Sequence, residues 1–153
     1  LWKYDINFTI QQRIPDNHHF YYRNISSLHE DFRRRIENYP GLGTPISSID
    51  EIQGGATQFL VILDAQQLQL HGDIQQKLST YSVIRSTSPI DNQAIWTEIF
   101  APEVNKGTSC QLLLNQLNLR YEECAGLGND YNDIDLRPSL CCLQRPGILT
   151  GAI

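Results

Sequence analysis

The chain has 153 residues, which is the size of one domain or of one domain with an appendage. Its 12 basic and 17 acidic residues give a net charge of −5, which argues against a duplex nucleic-acid-binding protein that needs several phosphate contacts. Hydrophobic residues make up 41% of the chain, and no apolar run reaches the roughly 18 residues of a membrane span, so we expect a globular domain without a membrane span.

The first predicted elements are a strand and a long helix. Apolar and polar residues alternate from Trp2 to Gln11, which is the period of a strand with one buried face. From Tyr21 to Tyr39, apolar residues recur every three or four positions and predict an amphipathic helix. The proline and glycines of residues 40–43 end this helix.

A pair of glycines then predicts a hairpin. Gly54 and Gly55 suit a tight turn, and they separate two segments of strand composition, residues 46–53 and 57–65. The second segment is apolar on both sides at its centre, which predicts a strand inside the sheet.

A shorter helix that starts at Asp73 and a strand over residues 81–88 complete the order β-α-β-β-α-β. This order predicts a ferredoxin-like α+β fold, a split antiparallel sheet with its helices on one face, over residues 1–90. Phe8, Phe32 and Val61 are then expected in one core between the sheet and the helices.

Residues 91–153 form a separate acidic extension. We expect an extra strand over residues 95–100 and a helix that starts near Ser109. Glycines and prolines after that helix predict a loop-rich segment that disulfides hold together. The extension contains all the cysteines of the chain: Cys110, Cys124, Cys141 and Cys142.

Cysteines and sequons predict an extracellular location. An even number of cysteines favours two disulfides, and Asn7 and Asn24 each begin a glycosylation sequon. A bond between the neighbours Cys141 and Cys142 would be strained, so two pairings remain open. The spacing lacks the knuckle of a zinc site. The chain also lacks Met and a signal-peptide pattern, which predicts a mature piece.

Residues 2–90 resemble the SEA domain of membrane mucins and other glycosylated surface proteins. The resemblance lies in the strand of residues 4–10, the helix of residues 20–39, the glycine-containing hairpin and the helix of residues 70–81. Self-cleaving members of that family carry a Gly-Ser pair at the hairpin. Here Gly55 and Ala56 occupy those positions, so the resemblance implies a member that does not cleave itself, because the nucleophile is missing.

Metal and cofactor sites are not expected. Asp130, Asp133 and Asp135 offer oxygen ligands for a weak calcium site, but the spacing departs from the EF-hand and a solvated acidic loop is the better interpretation. His18 and His19 could assemble a metal site with His29 and His71, but the histidines beside Asp16 and Asn17 are interpreted as part of a solvated turn.

The resulting prediction is a non-enzymatic extracellular module that acts in adhesion, spacing or assembly. Its expected partner is a protein or glycan at the cell surface, with no nucleic acid and no cofactor. The alternatives are a self-cleaving or hydrolytic secreted domain and a secreted toxin or effector. The sequence contains no local catalytic signature such as G-x-S-x-G or H-E-x-x-H.

Overall fold

The structure is a computed structural model that describes residues 1–23, 25, 29–136 and 141–144. It divides into two compact units, Leu1–Pro102 and Glu103–Ile153. The division follows residue 102 rather than residue 90, because the strand over residues 95–100 pairs within the first sheet.

In the described residues, the first unit contains six strands and two helices, and the second contains a third helix and two short strands. The strands are β1 (Phe8–Gln12), β2 (Phe20–Arg23), β3 (Gly43–Ile46), β4 (Ala56–Leu63), β5 (Ser82–Thr87), β6 (Ile95–Phe100), β7 (Ala125–Gly128) and β8 (Cys141–Gln144). The helices are α1 (Glu30–Asn38), α2 (Leu68–Lys77) and α3 (Lys106–Leu117).

The six strands of the first unit form one mixed sheet. Their order is β3-β2-β1-β4-β6-β5. The β2–β3 pair is parallel and the other neighbours are antiparallel. Strand β4 lies inside the sheet between β1 and β6, as the sequence predicted.

Each face of this sheet carries one helix. Residues directly opposite each other on paired strands share a face, so the register defines two sets. The α2 face includes Phe8, Ile10, Phe59, Val61, Thr97 and Ile99, and the α1 face includes Thr9, Gln11, Gln58, Leu60, Ile62, Trp96 and Glu98.

Two separate cores follow from this arrangement. The larger one, on the α2 face, contains Phe8, Val61 and the helix residue Ile74. The smaller one, on the α1 face, contains Phe32 of α1 with Leu60 and Ile62 of β4. The predicted ferredoxin-like fold, with both helices on one face and a single core, is therefore wrong. Phe32 lies across the sheet from Phe8 and Val61, because β4 is apolar on both faces and both need cover.

A hydrogen bond fixes α1 to the sheet. Asp31 is 1% exposed, and its Oδ2 accepts a hydrogen bond of 2.6 Å from Nε1 of Trp96 on β6. A buried carboxylate needs such a partner. The bond therefore determines which side of α1 faces the sheet.

The long first helix was predicted wrongly over its N-terminal half. Residues Phe20–Arg23 form β2, which returns antiparallel to β1 after a turn closed by the hydrogen bond from Gln12 N to His19 O (3.0 Å). The helix begins only at Glu30. Phe20, Tyr21 and Tyr22 are consecutive aromatic residues, which favour a strand. Tyr21 also continues the three- and four-residue spacing of the apolar residues that follow, so the helical pattern extended too far toward the N-terminus.

The predicted hairpin at Gly54 and Gly55 is also wrong. Ser48 and Glu51 form a capping box around a short 3-10 turn, so residues 46–53 make no strand that pairs with β4. Ala56 instead begins β4 and lies opposite Gln12 of β1. Gly54 has a φ of 77°, which glycine adopts without strain.

The second unit contains no disulfide between Cys110 and Cys124, which are both free thiols. The predicted pair of disulfides is wrong, since either remaining pairing required both residues. Cys141 and Cys142 begin β8, which pairs in parallel with β7. Helix α3 starts after Asn105, whose side chain accepts a hydrogen bond of 2.8 Å from Thr108 N.

Among the described residues, no helix has the length and apolar character that crossing a membrane requires.

The contact of His71 with β6 predicts a pH-dependent stability. His71 of α2 is 7% exposed, and its Nδ1 lies 2.9 Å from Thr97 Oγ1. Burial, and then the charge of Arg85, lower the pKa of His71 below 6.5. His71 therefore binds a proton more readily in the unfolded chain than in the folded chain. As a result, the free energy of unfolding falls as the pH drops below about 6.5.

Urea unfolding at pH 7.5, 6.5 and 5.5 checks this expectation. The wild type should lose more stability across this range than His71→Gln, which cannot gain the proton. Equal losses in the two proteins would contradict it.

Candidate functional site

A polar cavity of about 410 Å³ lies at the N-terminal end of α1. Its walls combine three carboxylates, two amides and one imidazole with three isoleucines. The lining residues are Asp5, Ile6, Asn7, Ile25, His29, Glu30, Ile62, Asp64 and Gln67. Its size falls within the range of sites for small molecules, and its lining is more polar than that of most such sites.

His29 is the N-cap of α1 and fixes the N-terminal end of this helix. Its Nδ1 accepts a hydrogen bond of 3.1 Å from Asp31 N and so caps the helix, and its Nε2 lies 3.0 Å from Asp64 Oδ1. Because Nδ1 accepts, the proton of the neutral ring is on Nε2 and points to Asp64. Both ring nitrogens are engaged, so His29 does not serve as a free general base in this arrangement.

The lining of the cavity is acidic. Its lining residues include the carboxylates of Asp5, Glu30 and Asp64 and neither Lys nor Arg. Hydrogen bonds from Arg33 and Arg34 lower the pKa of Glu30, which keeps this carboxylate charged. Hydroxyl or amino groups therefore fit this cavity better than a phosphate does.

A second cavity, of about 400 Å³, opens on the α2 face and is mainly apolar. Its walls include Trp2, Phe8, Ile52, Phe59 and Leu78. The described side chains thus place a polar cavity and an apolar cavity on opposite faces of one sheet.

The asparagine of the first sequon is buried. Asn7 is 4% exposed and its Oδ1 accepts a hydrogen bond of 3.4 Å from Ile25 N, so it presents almost no surface to a glycan. Asn24 lies outside the described residues.

The acidic loop directs its central carboxylate to protein groups. Asp133 accepts hydrogen bonds from the backbone N of Asn129 (2.8 Å) and of Asp130 (3.2 Å), and it pairs with Lys106. Burial raises the pKa of Asp133, but these bonds outweigh burial and lower it overall. Asp135 is the last of the three aspartates that the sequence offered as calcium ligands. Within the described residues, no group of three or more His, Cys, Asp or Glu side chains could hold a metal ion.

Sequence reasoning missed the role of His29. The available signal was the pair of acidic residues that follows it, Glu30 and Asp31, because acidic residues concentrate in the first turn of helices. The apolar spacing from Tyr21 onward predicts a helix that begins well before this point, which hides the signal.

The sequence model of the haloacid dehalogenase-like hydrolase family matches residues 2–136. The chain belongs to this family. The SEA-domain resemblance is therefore wrong, and so is the prediction of a non-enzymatic adhesion module, because members of this family are hydrolases. Comparison with curated proteins gives no match.

Several solved structures share the fold of this chain. A protein from Streptococcus mutans UA159 superposes with a TM-score of 0.71 at 14% identity, over 96% of this chain and 53% of its own. A haloacid dehalogenase-like hydrolase from Bacteroides thetaiotaomicron gives 0.58 at 16% identity, over 89% and 48%. The subclass IIB sugar phosphatase BT4131 gives 0.64 at 10% identity, over 91% and 48%.

The chain spans about half the length of these solved structures. Their likeness establishes a shared α/β fold with a mixed sheet, in place of the predicted α+β fold.

The capping role of His29 predicts a stability change that depends on hydrogen bonding. His29→Ala should lower the free energy of unfolding by about 1 kcal/mol, because it removes the N-cap of α1. His29→Asn should recover most of that loss, since an Asn side chain also accepts from the helix backbone.

Urea unfolding of both variants measures the difference. A His29→Asn protein as unstable as His29→Ala would show that the imidazole stabilises α1 by another route than capping.

Proposed function

We propose that this chain forms a substrate-binding part of a hydrolase that removes phosphate from small phosphorylated sugars. The observation that carries the proposal is the family match over residues 2–136. The fold likeness to a sugar phosphatase and the presence of a polar cavity of small-molecule size support it.

No step of phosphoryl transfer is assigned to particular residues of this chain. Transfer depends on positioned groups and on stabilisation of negative charge, commonly by a divalent cation. The described residues hold no metal-binding group of three or more ligands, so they do not fit such a cation. We therefore derive no transfer step from them.

Substrate selection follows from the side chains of the α1 face. The polar cavity offers hydrogen bonds to hydroxyl groups, while its isoleucines offer apolar surface to the carbons between them. Its carboxylates repel a phosphate group, so a bound ester would direct its phosphate away from this cavity.

Phosphate release tests the proposed function. The longest polypeptide that the gene encodes, assayed with Mg²⁺ and a panel of hexose and pentose phosphates, should release inorganic phosphate from at least one of them. The chain of 153 residues should bind the same ester in calorimetry without releasing phosphate.

Two outcomes would contradict the proposal. One is the absence of phosphate release from the whole panel. The other is release of chloride from 2-chloropropionate by a protein that leaves every phosphate ester intact, because the hydrolysed bond would then be carbon–halogen.

The extracellular location and the cell-surface partner stay predictions. Cys110 and Cys124 are free thiols, and Asn7 is buried.

A further inference from the structure

The apolar cavity on the α2 face has no part in the proposed function. Three neighbouring strands form its floor with Ile10 of β1, Phe59 of β4 and Ile99 of β6. These residues lie directly opposite one another across the sheet, so they make one continuous apolar row. Ile10 is 2% exposed and Ile99 is 5% exposed, so the floor is packed.

The sides of this cavity are apolar and reach the solvent. Ile49, in the 3-10 turn before β4, is 64% exposed, and Tyr81, just before β5, is 50% exposed. The described side chains that line the cavity include no Asp, Glu, His, Lys or Arg. Exposed apolar surface around a cavity of about 400 Å³ is typical of a ligand site, and this lining favours a hydrocarbon.

The first four residues form a strap along one side of the cavity. Leu1 and Trp2 belong to the lining, and the ring of Trp2 packs edge-on against Phe8 with 5.7 Å between the centroids. Arg23 of β2 holds the strap, because its Nη1 donates hydrogen bonds to Trp2 O (3.1 Å) and Tyr4 O (2.5 Å). The strap is therefore a fixed wall of the cavity.

The strap also brings positive charge to the edge of an uncharged cavity. The guanidinium of Arg23 lies 5.1 Å from the centroid of the Trp2 ring, and the ammonium of Lys77 lies 5.0 Å from that of Tyr4. In the part of the chain that the structure describes, neither cation forms an ion pair with a carboxylate. Asp73, one helical turn before Lys77, offsets part of the lysine charge, so Arg23 is the main attraction for an anion.

We propose that the apolar cavity binds a single amphiphilic anion, a carboxylate with a hydrocarbon body. The body occupies the apolar lining, and the carboxylate lies toward Arg23 at the edge. A phosphorylated sugar does not fit this cavity, because its hydroxyl groups would lose water without gaining enough partners. The site lies across the sheet from the polar cavity, so the inference does not depend on the proposed function.

Methyl NMR of the chain tests the site, because isoleucines mark both faces of the sheet. Decanoate, 1-decanol and decylammonium share one hydrocarbon chain and differ in charge, and each is titrated alone as a monomer. Decanoate should shift the signals of Ile49, Ile52 and Ile99 in the apolar cavity and leave that of Ile62 in the polar cavity unchanged. It should bind about fivefold more tightly than decanol, and decylammonium should bind most weakly.

Two kinds of variant separate the apolar body from the charge. Ala101→Glu puts a carboxylate at the exposed edge of the lining and should weaken decanoate binding about tenfold. The matched control is Ala65→Glu, an exposed position outside both cavities, which should leave the affinity unchanged.

Arg23→Gln should weaken decanoate binding about fivefold and leave decanol binding within about twofold. Lys77→Gln should show the same difference on a smaller scale, and it tests the charge even if Arg23→Gln does not fold.

Four results would overturn this site. Without shifts from decanoate, the cavity takes no amphiphilic anion. Equal weakening of decanoate and decanol by Arg23→Gln would show that the arginine only holds the strap. A doubled mass in sedimentation, with the same isoleucine signals shifting as protein concentration rises, would show that a second copy covers the cavity. Binding to phosphatidylglycerol vesicles without binding to decanoate would assign this face to a membrane surface instead.

Discussion

Strand β4 is apolar on both faces, and the first unit is organised around this constraint. Leu60 and Ile62 point to one side, and Phe59, Val61 and Leu63 point to the other. Neither set can stay in water without losing the free energy of burial, about 25 cal/mol for each Å² of apolar surface. Each face therefore needs its own covering element, and α1 and α2 supply them on opposite sides.

The two helices cover their faces by different means. Helix α2 inserts Ile74 into the larger core and places His71 against Thr97. Helix α1 inserts Phe32 and is oriented by the bond between Asp31 and Trp96. The polar cavity lies at the N-terminal end of α1, and the proposed function draws on it.

Several elements could be predicted from the sequence because their signals are local. The strand over residues 95–100 and the central position of β4 were both confirmed. Local periodicity did not reveal that β6 inserts between β4 and β5, or that α1 and α2 cover different faces. These facts depend on pairing between distant segments, which a single sequence does not encode in its spacing. The spacing of Tyr21 also fitted a helix although it lies in a strand.

The candidate site could hardly be predicted at all. Its side chains come from the first residues, α1, β4 and the turn after β4, and no short motif joins them. Because no short motif points to the family, the order of the predicted elements was the main guide, and that order resembles the SEA domain. At 9–17% identity to the solved relatives, the fold is shared while few side chains are.

The placement of α1 and α2 on opposite faces of β4 is the central claim, and nuclear Overhauser effects between side chains measure it most directly. In a protein labelled at methyl and aromatic groups, the account predicts contacts from Phe32 to the Leu60 methyls and from Ile74 to the Val61 methyls. Contacts from both Phe32 and Ile74 to Val61 would place the two helices on one face and contradict the account.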